Sequence, residues 1–480
     1  MATVRRQSFG DFLFSLIGKL LVWVAKLAAK LIARMVVLAV SHPRTTLSGA
    51  LGLAAVLYAG WRTVALVLGA TLIAASTWRV AHEDTFMWVV GGPVRTWWRR
   101  WWTYRRKWAD VFTRCDLAVP ANDEWHPPTL KKVTTTAYWD RLTIRMQIGQ
   151  DLDQFRQNSE KLRHGFGAQR VAVREIAPAL LGLDLMRRDP LLEPVPATPF
   201  AASTAAIDWR RVPVGLDEFD DPFTISVVGG HTAVSGSSNA GKAGVQWNAL
   251  RYLAPAIADG TVRPIGINPK AKELARAREL FCEYAVDEEE VVELLQKLVR
   301  DMKAANAADA EIGERDFAPS QARPLHLIVI DELAPLLKYW PRRTRDKIED
   351  SLGLLLTQGR AVGYIVLGAI QEPTKDSFTV RDLFTRRLAL RLPTESHTDA
   401  ALIEKAVDYG ARCHEIPETL PGILFSLVDG GRQTTRARLG YVTDTDIDAL
   451  VEHVRSLRAV VALDSRRPAT AVAATGSEAA

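Results

Sequence analysis

The residues from His231 to Gly244 read H-T-A-V-S-G-S-S-N-A-G-K-A-G, which puts Gly236, Gly241 and Lys242 on the spacing G-x-x-x-x-G-K. Glycines at these positions let the backbone wrap until successive N–H groups face inward, where phosphate oxygens accept from them. The lysine reaches the β- and γ-phosphates, and the helix that follows adds the partial positive charge of its N-terminus. Gly236, Ser237, Ser238, Asn239, Ala240, Gly241, Lys242, Ala243 and Gly244 are therefore the candidate ATP-binding residues. About 90 residues on, L-H-L-I-V-I-D-E (Leu325 to Glu332) is a buried-strand pattern ending in two carboxylates, the Walker B form. Together the two stretches indicate a P-loop ATPase. One position departs from the pattern. The residue after the lysine ordinarily offers Mg²⁺ a hydroxyl, but Ala243 and then Gly244 stand there.

The rest of the chain has to hold these groups in place. Its 480 residues leave room for two or three domains. Charge is unevenly distributed. Residues 1–114 hold 16 Lys and Arg against 4 Asp and Glu, so their +12 exceeds the whole chain's +6 and leaves the remainder net acidic. The basic balance therefore belongs to the N-terminal segment and does not describe a uniformly basic nucleic-acid-binding surface. Cys115, Cys282 and Cys413 are far apart and odd in number, which excludes a disulfide framework or a Cys-x-x-Cys zinc site.

Residues 11–40 carry Lys19, Lys26, Lys30 and Arg34 within an arc of about 80°, the pattern of a basic helix lying in a membrane interface, with a snorkelling span as the alternative. Residues 47–77 are apolar except for Arg62. As one helix they would run about 45 Å, well beyond a hydrocarbon core of about 30 Å. Two helices turning at Gly60-Trp61-Arg62 remove that excess, each with a span near 15 residues. P-V-R-T-W-W-R-R-W-W-T-Y-R-R-K-W, Pro93 to Trp108, then forms a Trp/Arg belt expected at the cytoplasmic interface; stacking on nucleic acid is the alternative. Residues 1–114 thus read as a membrane anchor with an apolar hairpin over 47–78, and the ATPase faces the cytoplasm.

Residues 115–200 read as a small α/β linking domain. Strands are expected at Asp140–Ile148, Arg170–Ile176 and Leu180–Met186. A helix over Asp151–Gly165 is expected to stop at Gly165, with His164 near its cap, and Pro190–Pro199 reads as a linker. In residues 201–463 the apolar run Phe223–Val228 leads into the phosphate loop and a helix, Val245–Ala256, follows it. Further strands are expected at Arg263–Asn268, the Walker B run, Tyr364–Ile370 and Arg387–Leu392, with helices at Asp287–Ala308 and Arg342–Thr357. A hairpin of Ile423–Val428 and Arg436–Val442 precedes a last helix and a tail over 464–480 expected to be disordered. Alternating strands and helices predict a parallel sheet covered on both faces, with nucleotide at the carboxyl ends of its strands.

The ordered pieces H-T-A-V-S-G-S-S-N-A-G-K, I-N-P-K, I-V-I-D-E-L-A, Q-G-R-A-V-G-Y-I-V-L-G-A-I-Q-E-P, T-R-R-L-A-L-R-L and R-L-G-Y-V-T-D resemble the FtsK/SpoIIIE family of DNA-translocating ATPases. The resemblance is closest to the branch carried by actinobacterial conjugative plasmids and integrative elements. It implies an α/β fold with a RecA-like P-loop NTPase motor domain, and a membrane-tethered homo-hexameric ring that pumps double-stranded DNA using ATP and Mg²⁺. It also implies roles: Asp331 holds Mg²⁺ through its water shell, Glu332 polarises the attacking water, and Gln371 senses the γ-phosphate. Arg360 reaches a neighbouring subunit's nucleotide, with Arg386 and Arg387 as rivals.

Departures from the family pattern fall on Ala243 and Gly244, where Gly then Ser is usual, and on Asn268, where the family has Asp, followed by Ala271 and Lys272. They keep a second reading open, a nucleotide-binding membrane scaffold with impaired hydrolysis. A third is a secretion-type ATPase of the same superfamily, though such chains usually string several ATPase domains together. The residues after Val442 are too few for the family's DNA-reading winged-helix module, so DNA contacts are expected to be sequence-tolerant and salt-sensitive.

Overall fold

The computed structural model describes residues 57–464 apart from 59, 122–123, 315, 372, 375 and 428–433. The chain divides into two compact units, residues 1–108 and 109–480. In the first, α1 (Trp61–Ala81) has no buried residue and is long and apolar enough to cross a membrane. Its 21 residues make it longer than the arm of about 15 expected, because the helix carries on through Thr77 and Trp78 to Ala81. It starts immediately after Gly60, which places Arg62 in the first turn and not at mid-span. The first arm of the expected hairpin up to residue 56 and the basic helix of residues 11–40 lie outside the described residues, as does the tail beyond 464. Helical turns continue from Glu83 and carry the Trp/Arg belt of Pro93–Trp108, with wider π-type turns at Met87–Gly91 and Arg99–Arg105. Its aromatic and cationic groups pair along the helix: Trp98 stacks on Trp102 at 5.3 Å, and the Arg106 guanidinium lies 3.9 Å from the Trp102 ring centre.

In the second unit, the linking domain is an antiparallel sheet of β1 (Thr129–Thr135), β2 (Trp139–Arg145), β3 (Arg170–Ala177) and β4 (Leu180–Met186), in the order β1-β2-β4-β3. β1 was not among the expected strands, and the strand expected over Asp140–Ile148 stops early, at Arg145, with Ile148 exposed. Two short helices, α2 (Leu152–Gln157) and α3 (Ser159–Phe166), cover the sheet through Phe155, Leu162 and Phe166. The helix stop is Gly167 and not Gly165. Gly167 takes the left-handed conformation (φ 62°) that ends a helix at low cost in glycine, whereas Gly165 lies inside α3, where a Cβ would come within 2.7 Å of Val111 Cγ1.

The motor domain is built on one mixed sheet. Its strands are β5 (Val195–Pro196), β6 (Val212–Asp217), β7 (Pro222–Ile225), β8 (Thr232–Ser235), β9 (Val262–Ile267), β10 (Glu283–Ala285), β11 (Leu325–Ile330), β12 (Tyr364–Ile370), β13 (Arg386–Ala389), β14 (Ile423–Leu427) and β15 (Thr434–Tyr441). They run in the order β10-β9-β11-β12-β8-β13-β14-β15-β6-β7, with β5 added on β15. The first six are parallel, as expected; from β13 outward the sheet continues antiparallel, the expected hairpin forming its β14/β15 pair, while the addition of β6 and β7 was not foreseen. The strand feeding the phosphate loop is β8. Phe223–Val228 instead supplies the antiparallel β7 and then turns, Ser226 Oγ donating to the Val228 carbonyl at 2.6 Å.

Central strands buried on both faces explain the unbroken apolar runs L-H-L-I-V-I and Y-I-V-L-G-A-I. Alternate residues serve opposite layers: Leu325, Leu327 and Val329 face α4 (Ala243–Tyr252), α5 (Ala254–Ala258) and α9 (Asp444–Asp464), while Ile328 and Ile330 face α6 (Glu288–Ile312) and α7 (Arg342–Gln358). The helix after the phosphate loop is broken at Leu253 because Pro255 cannot donate to the preceding turn. A capping box between Asp287 and Glu290, with Glu288, Glu289 and Glu290 in the first turn, starts α6.

Two segments tie the linking domain to the motor. The Pro190–Pro199 stretch is not a free linker. Arg436 pairs with Asp189 at 2.6 Å, and Arg438 Nη1 donates to the carbonyls of Leu191 and Leu192, each at 2.9 Å. The turn between β6 and β7 forms the second tie. Trp139 Nε1 donates to the Glu218 carbonyl at 2.5 Å, the Trp139 and Phe219 rings lie 4.9 Å apart, and Glu218 pairs with Arg170.

Two buried histidines give the motor a defined acid response. His231 is fully buried, and its Nδ1 accepts from the Val366 N–H at 3.0 Å, so the ring has to stay neutral there; burial, with Arg360 nearby, lowers it from 6.5 to about 4. His326, stacked on Tyr364 at 4.3 Å, is likewise lowered by burial to about 4. A depressed folded-state value means that their contribution to stability is complete above pH 6.5 and is lost as pH falls towards 4. Each histidine should remove up to about 1.4 kcal/mol per pH unit in that window. Because the raised Asp331 carboxyl works in the opposite sense, the histidine effect is read as a difference: urea midpoints between pH 7.5 and 4.5 should fall more in the native chain than in a His326→Phe variant, and an equal fall in both would contradict this account.

Candidate functional site

The carboxyl ends of β8, β9, β11 and β12 open on a cleft of about 650 Å³ lined by Ser238, Asn239, Gly241, Lys242, Ala243, Gly244, Lys270, Glu273, Asp331, Glu332 and Gln371. β12 lies between β8 and β11, so Gln371 stands between the phosphate loop and the carboxylate pair. The loop is pinned at both ends: Gly236 N–H donates to the Ile370 carbonyl at 3.1 Å, Ser237 N–H to that of Arg391 at 2.8 Å, and Gly422 N–H to that of Ala240 at 2.9 Å. Gly241 has to be glycine. Its φ is 93°, and a Cβ would come within 3.0 Å of the Gly422 nitrogen. Lys242 Nζ donates to the carbonyls of Gly236 and Ser237 at 2.9 and 3.0 Å, and burial lowers its value from 10.5 to about 8.

Asp331 and Glu332 follow β11 and are both buried. Glu332 Oε1 accepts from the backbone N–H of Gln371 at 2.9 Å and of Ala334 at 3.4 Å, and Oε2 lies 3.3 Å from Lys270 Nζ. Asp331 Oδ2 is buried with no hydrogen-bond partner, and burial, reinforced by Glu273 and Glu332, raises its carboxyl from 3.8 to about 7. An unpartnered buried carboxylate oxygen beside two further acids fits a divalent cation.

The structure therefore gathers the nine loop residues' segment, Asp331, Glu332 and Gln371 at one place. Arg360 is elsewhere. It is exposed, in the Gly359–Val362 turn before the amino-terminal end of β12, with Lys303, Asn306 and Gln358 around it, on the opposite edge of the sheet from the cleft. Of its rivals, Arg386 donates to the Thr224 carbonyl and Arg387 to Asp382 at 3.0 Å. Asn268 is buried behind the cleft and does not line it; its Nδ2 donates to the Tyr284 hydroxyl at 2.7 Å. Sequence reasoning missed Lys270, which lay unused in the quoted I-N-P-K, and Arg391, whose guanidinium joins the Ser238 carbonyl (3.0 Å) to Glu418 (2.8 Å). It also missed Arg438, Tyr441 and Pro194 on the far wall of the cleft.

The missing hydroxyl has a testable location. Ala243 opens α4 and lines the cleft, whereas a Cβ on Gly244 would press on Leu439 at 3.3–3.4 Å. Ala243→Ser should lower the Mg²⁺ concentration for half-maximal nucleotide turnover by about 3–10-fold, a hydroxyl replacing a water in the metal shell. Gly244→Ser should give no such gain and should lower stability, because the Leu439 contact must yield. Metal titrations of the two variants separate these outcomes.

Comparison with known proteins adds relatives to this geometry. Residues 73–187 match the actinomycete conjugal transfer protein N-terminal domain, which ends with the linking sheet. The chain is 26% identical over 412 residues to the Streptomyces ambofaciens transfer protein TraSA, covering 76% of this chain and 95% of that one. The chain is thus similar to a conjugal transfer protein over most of its length, and to two DNA translocases over about half of it. The Bacillus subtilis DNA translocase SftA is 26% identical over 263 residues, 51% of this chain, which spans 26% of SftA's length. The Streptomyces avermitilis DNA translocase FtsK is 24% identical over 267 residues and spanned to 27%. Among solved structures, the pCW3 conjugation coupling protein TcpA, a monomer form with ATPγS, matches 72% of this chain and 98% of its own at 16% identity, with a TM-score of 0.46.

Proposed function

We propose that this chain is a membrane-anchored, ATP-driven translocase of double-stranded DNA acting in conjugative or plasmid transfer. The observation that carries the reading is the convergence of Lys242, Asp331, Glu332 and Gln371 on one cleft, in a chain that aligns with 95% of a transfer protein. In this reading the Gly236–Gly244 backbone and Lys242 hold the phosphates of ATP. Among the described residues no group of three or more His, Cys, Asp or Glu forms a protein-only metal cage, so Asp331 would hold Mg²⁺ together with phosphate and water oxygens. When bound, the ion would offset the phosphate charge. Glu332, fixed by the Gln371 and Ala334 N–H groups, polarises the attacking water, and the Gln371 side chain faces the terminal phosphate.

In a ring of copies, taken as a homo-hexamer, Arg360, exposed and remote from its own chain's cleft, would serve the cleft of a neighbouring copy. The apolar α1 supports an anchor in the cell membrane, with the motor on the cytoplasmic side. The test is ATP turnover by the full chain in detergent micelles, with and without double-stranded DNA, using Glu332→Gln as the blank. DNA-stimulated turnover that the blank lacks supports the motor. ATP binding without turnover above the blank would favour instead a nucleotide-binding scaffold, the reading that Ala243, lining the cleft without a hydroxyl, keeps in play.

A further inference from the structure

We propose that Lys270 is a latch shared between Glu332 and the terminal phosphate of a nucleoside triphosphate, so that Glu332 is released only when a γ-phosphate arrives. The inference rests on the ATP-binding reading above and adds a positioning residue to it. Lys270 follows β9 and lines the same cleft as Lys242; its Nζ lies 3.3 Å from Glu332 Oε2. The two partners differ in freedom. The Glu332 side chain is 3% exposed and its other oxygen is fixed by two backbone N–H groups, whereas the Lys270 side chain is 42% exposed and free to swing.

The loop that carries Lys270 is itself under tension. Ala271 sits at φ 56°, a conformation that disfavours a side chain, its N–H closing a tight turn on the Asn268 carbonyl at 2.9 Å. Asn268, which anchors the turn, keeps a buried Oδ1 with no hydrogen-bond partner.

The cleft offers this ammonium two anions. With no γ-phosphate, Glu332 is the nearest, and a carboxylate engaged by an ammonium is a poorer base for water. A terminal phosphate carries more charge than a carboxylate and draws the ammonium across, leaving Oε2 to accept from a water. A diphosphate ends at its β-phosphate, which Lys242 and the loop hold, and places no γ-phosphate beside Lys270, so it leaves the ion pair in place. Lys270 thereby links recognition of triphosphate over diphosphate to exposure of the base.

The test uses the full chain in detergent micelles with ATPγS and ADP as probes. Lys270→Met should weaken ATPγS about 10-fold while ADP stays within about 2-fold, and Lys270→Arg should restore most of the difference. Glu332→Gln, which removes the competing anion, should tighten ATPγS about 10-fold in the native background and at most about 2-fold alongside Lys270→Met. Equal weakening of ATPγS and ADP in Lys270→Met, or an equal effect of Glu332→Gln in both backgrounds, would overturn the latch. A native chain that binds neither probe would instead sink the ATP-binding reading on which it stands.

Discussion

Glu332→Gln is expected to abolish turnover, lowering kcat by about 100-fold or more, while ATP remains bound at least as tightly as before. The carboxamide keeps the shape and one acceptor oxygen for the Gln371 N–H at 2.9 Å, so the loop and strand end stay in place. It loses the charge that makes a neighbouring water nucleophilic. It also loses the partner of Lys270, which frees that ammonium for the nucleotide. Single-turnover measurement with a directly determined Kd separates the two effects. A parallel fall in affinity and rate would mean that Glu332 shapes the site and does not act on water.

The second large effect concerns stability. Trp139→Ala should cost about 3–5 kcal/mol, because a fully buried ring is removed from between two domains. The same change orphans the Glu218 carbonyl, which accepts the indole N–H at 2.5 Å, and removes the ring that packs on Phe219 at 4.9 Å. Trp139→Phe keeps most of the apolar contact and removes only the donor, for about 1–2 kcal/mol. Urea unfolding followed by a probe in each domain reads both numbers. A loss under about 1 kcal/mol in the alanine variant would show that the linking sheet is not docked on the motor as described.

What the sequence made legible follows the range of the forces involved. The phosphate loop and the carboxylate pair are local: a run of glycines and a lysine must sit close together in the chain to wrap a phosphate, so Gly236–Lys242 could be placed by spacing alone. Gln371 was reachable because its strand is a continuous apolar run, Tyr364–Ile370, with a definite end. The helix stop at Gly167 was misplaced by two residues because two glycines compete there, and only Val111, packed from a distant part of the chain, excludes a side chain at Gly165.

Long-range pairings left no periodic trace. Arg438 reaches Leu191 across 247 positions, and a proline-rich stretch that reads as a linker is in fact captured by that guanidinium. Lys270 was visible as a residue but not as a partner of Glu332, 62 positions away. The hairpin of β14 and β15 was legible, but the rest of the antiparallel half was hidden, because β6 and β7 precede the phosphate loop in the chain and yet join the sheet at its far edge.

The capture of Asp189–Pro196 also bears on how such a chain can be inherited. Leu191 is held by Arg438, Pro196 pairs with Tyr441, and Pro194 forms part of the nucleotide cleft wall. A crossover between related genes at the apparent boundary near residue 200 would separate partners that close one another's hydrogen bonds. Chimeras that keep Asp189–Pro196 and β15 from the same parent should fold; those that divide them leave a buried guanidinium and its carbonyls mismatched. The piece that can be exchanged whole therefore runs from Ala109, whose segment packs Val111 and Phe112 on the linking domain, through α9, which closes the motor core, to Asp464.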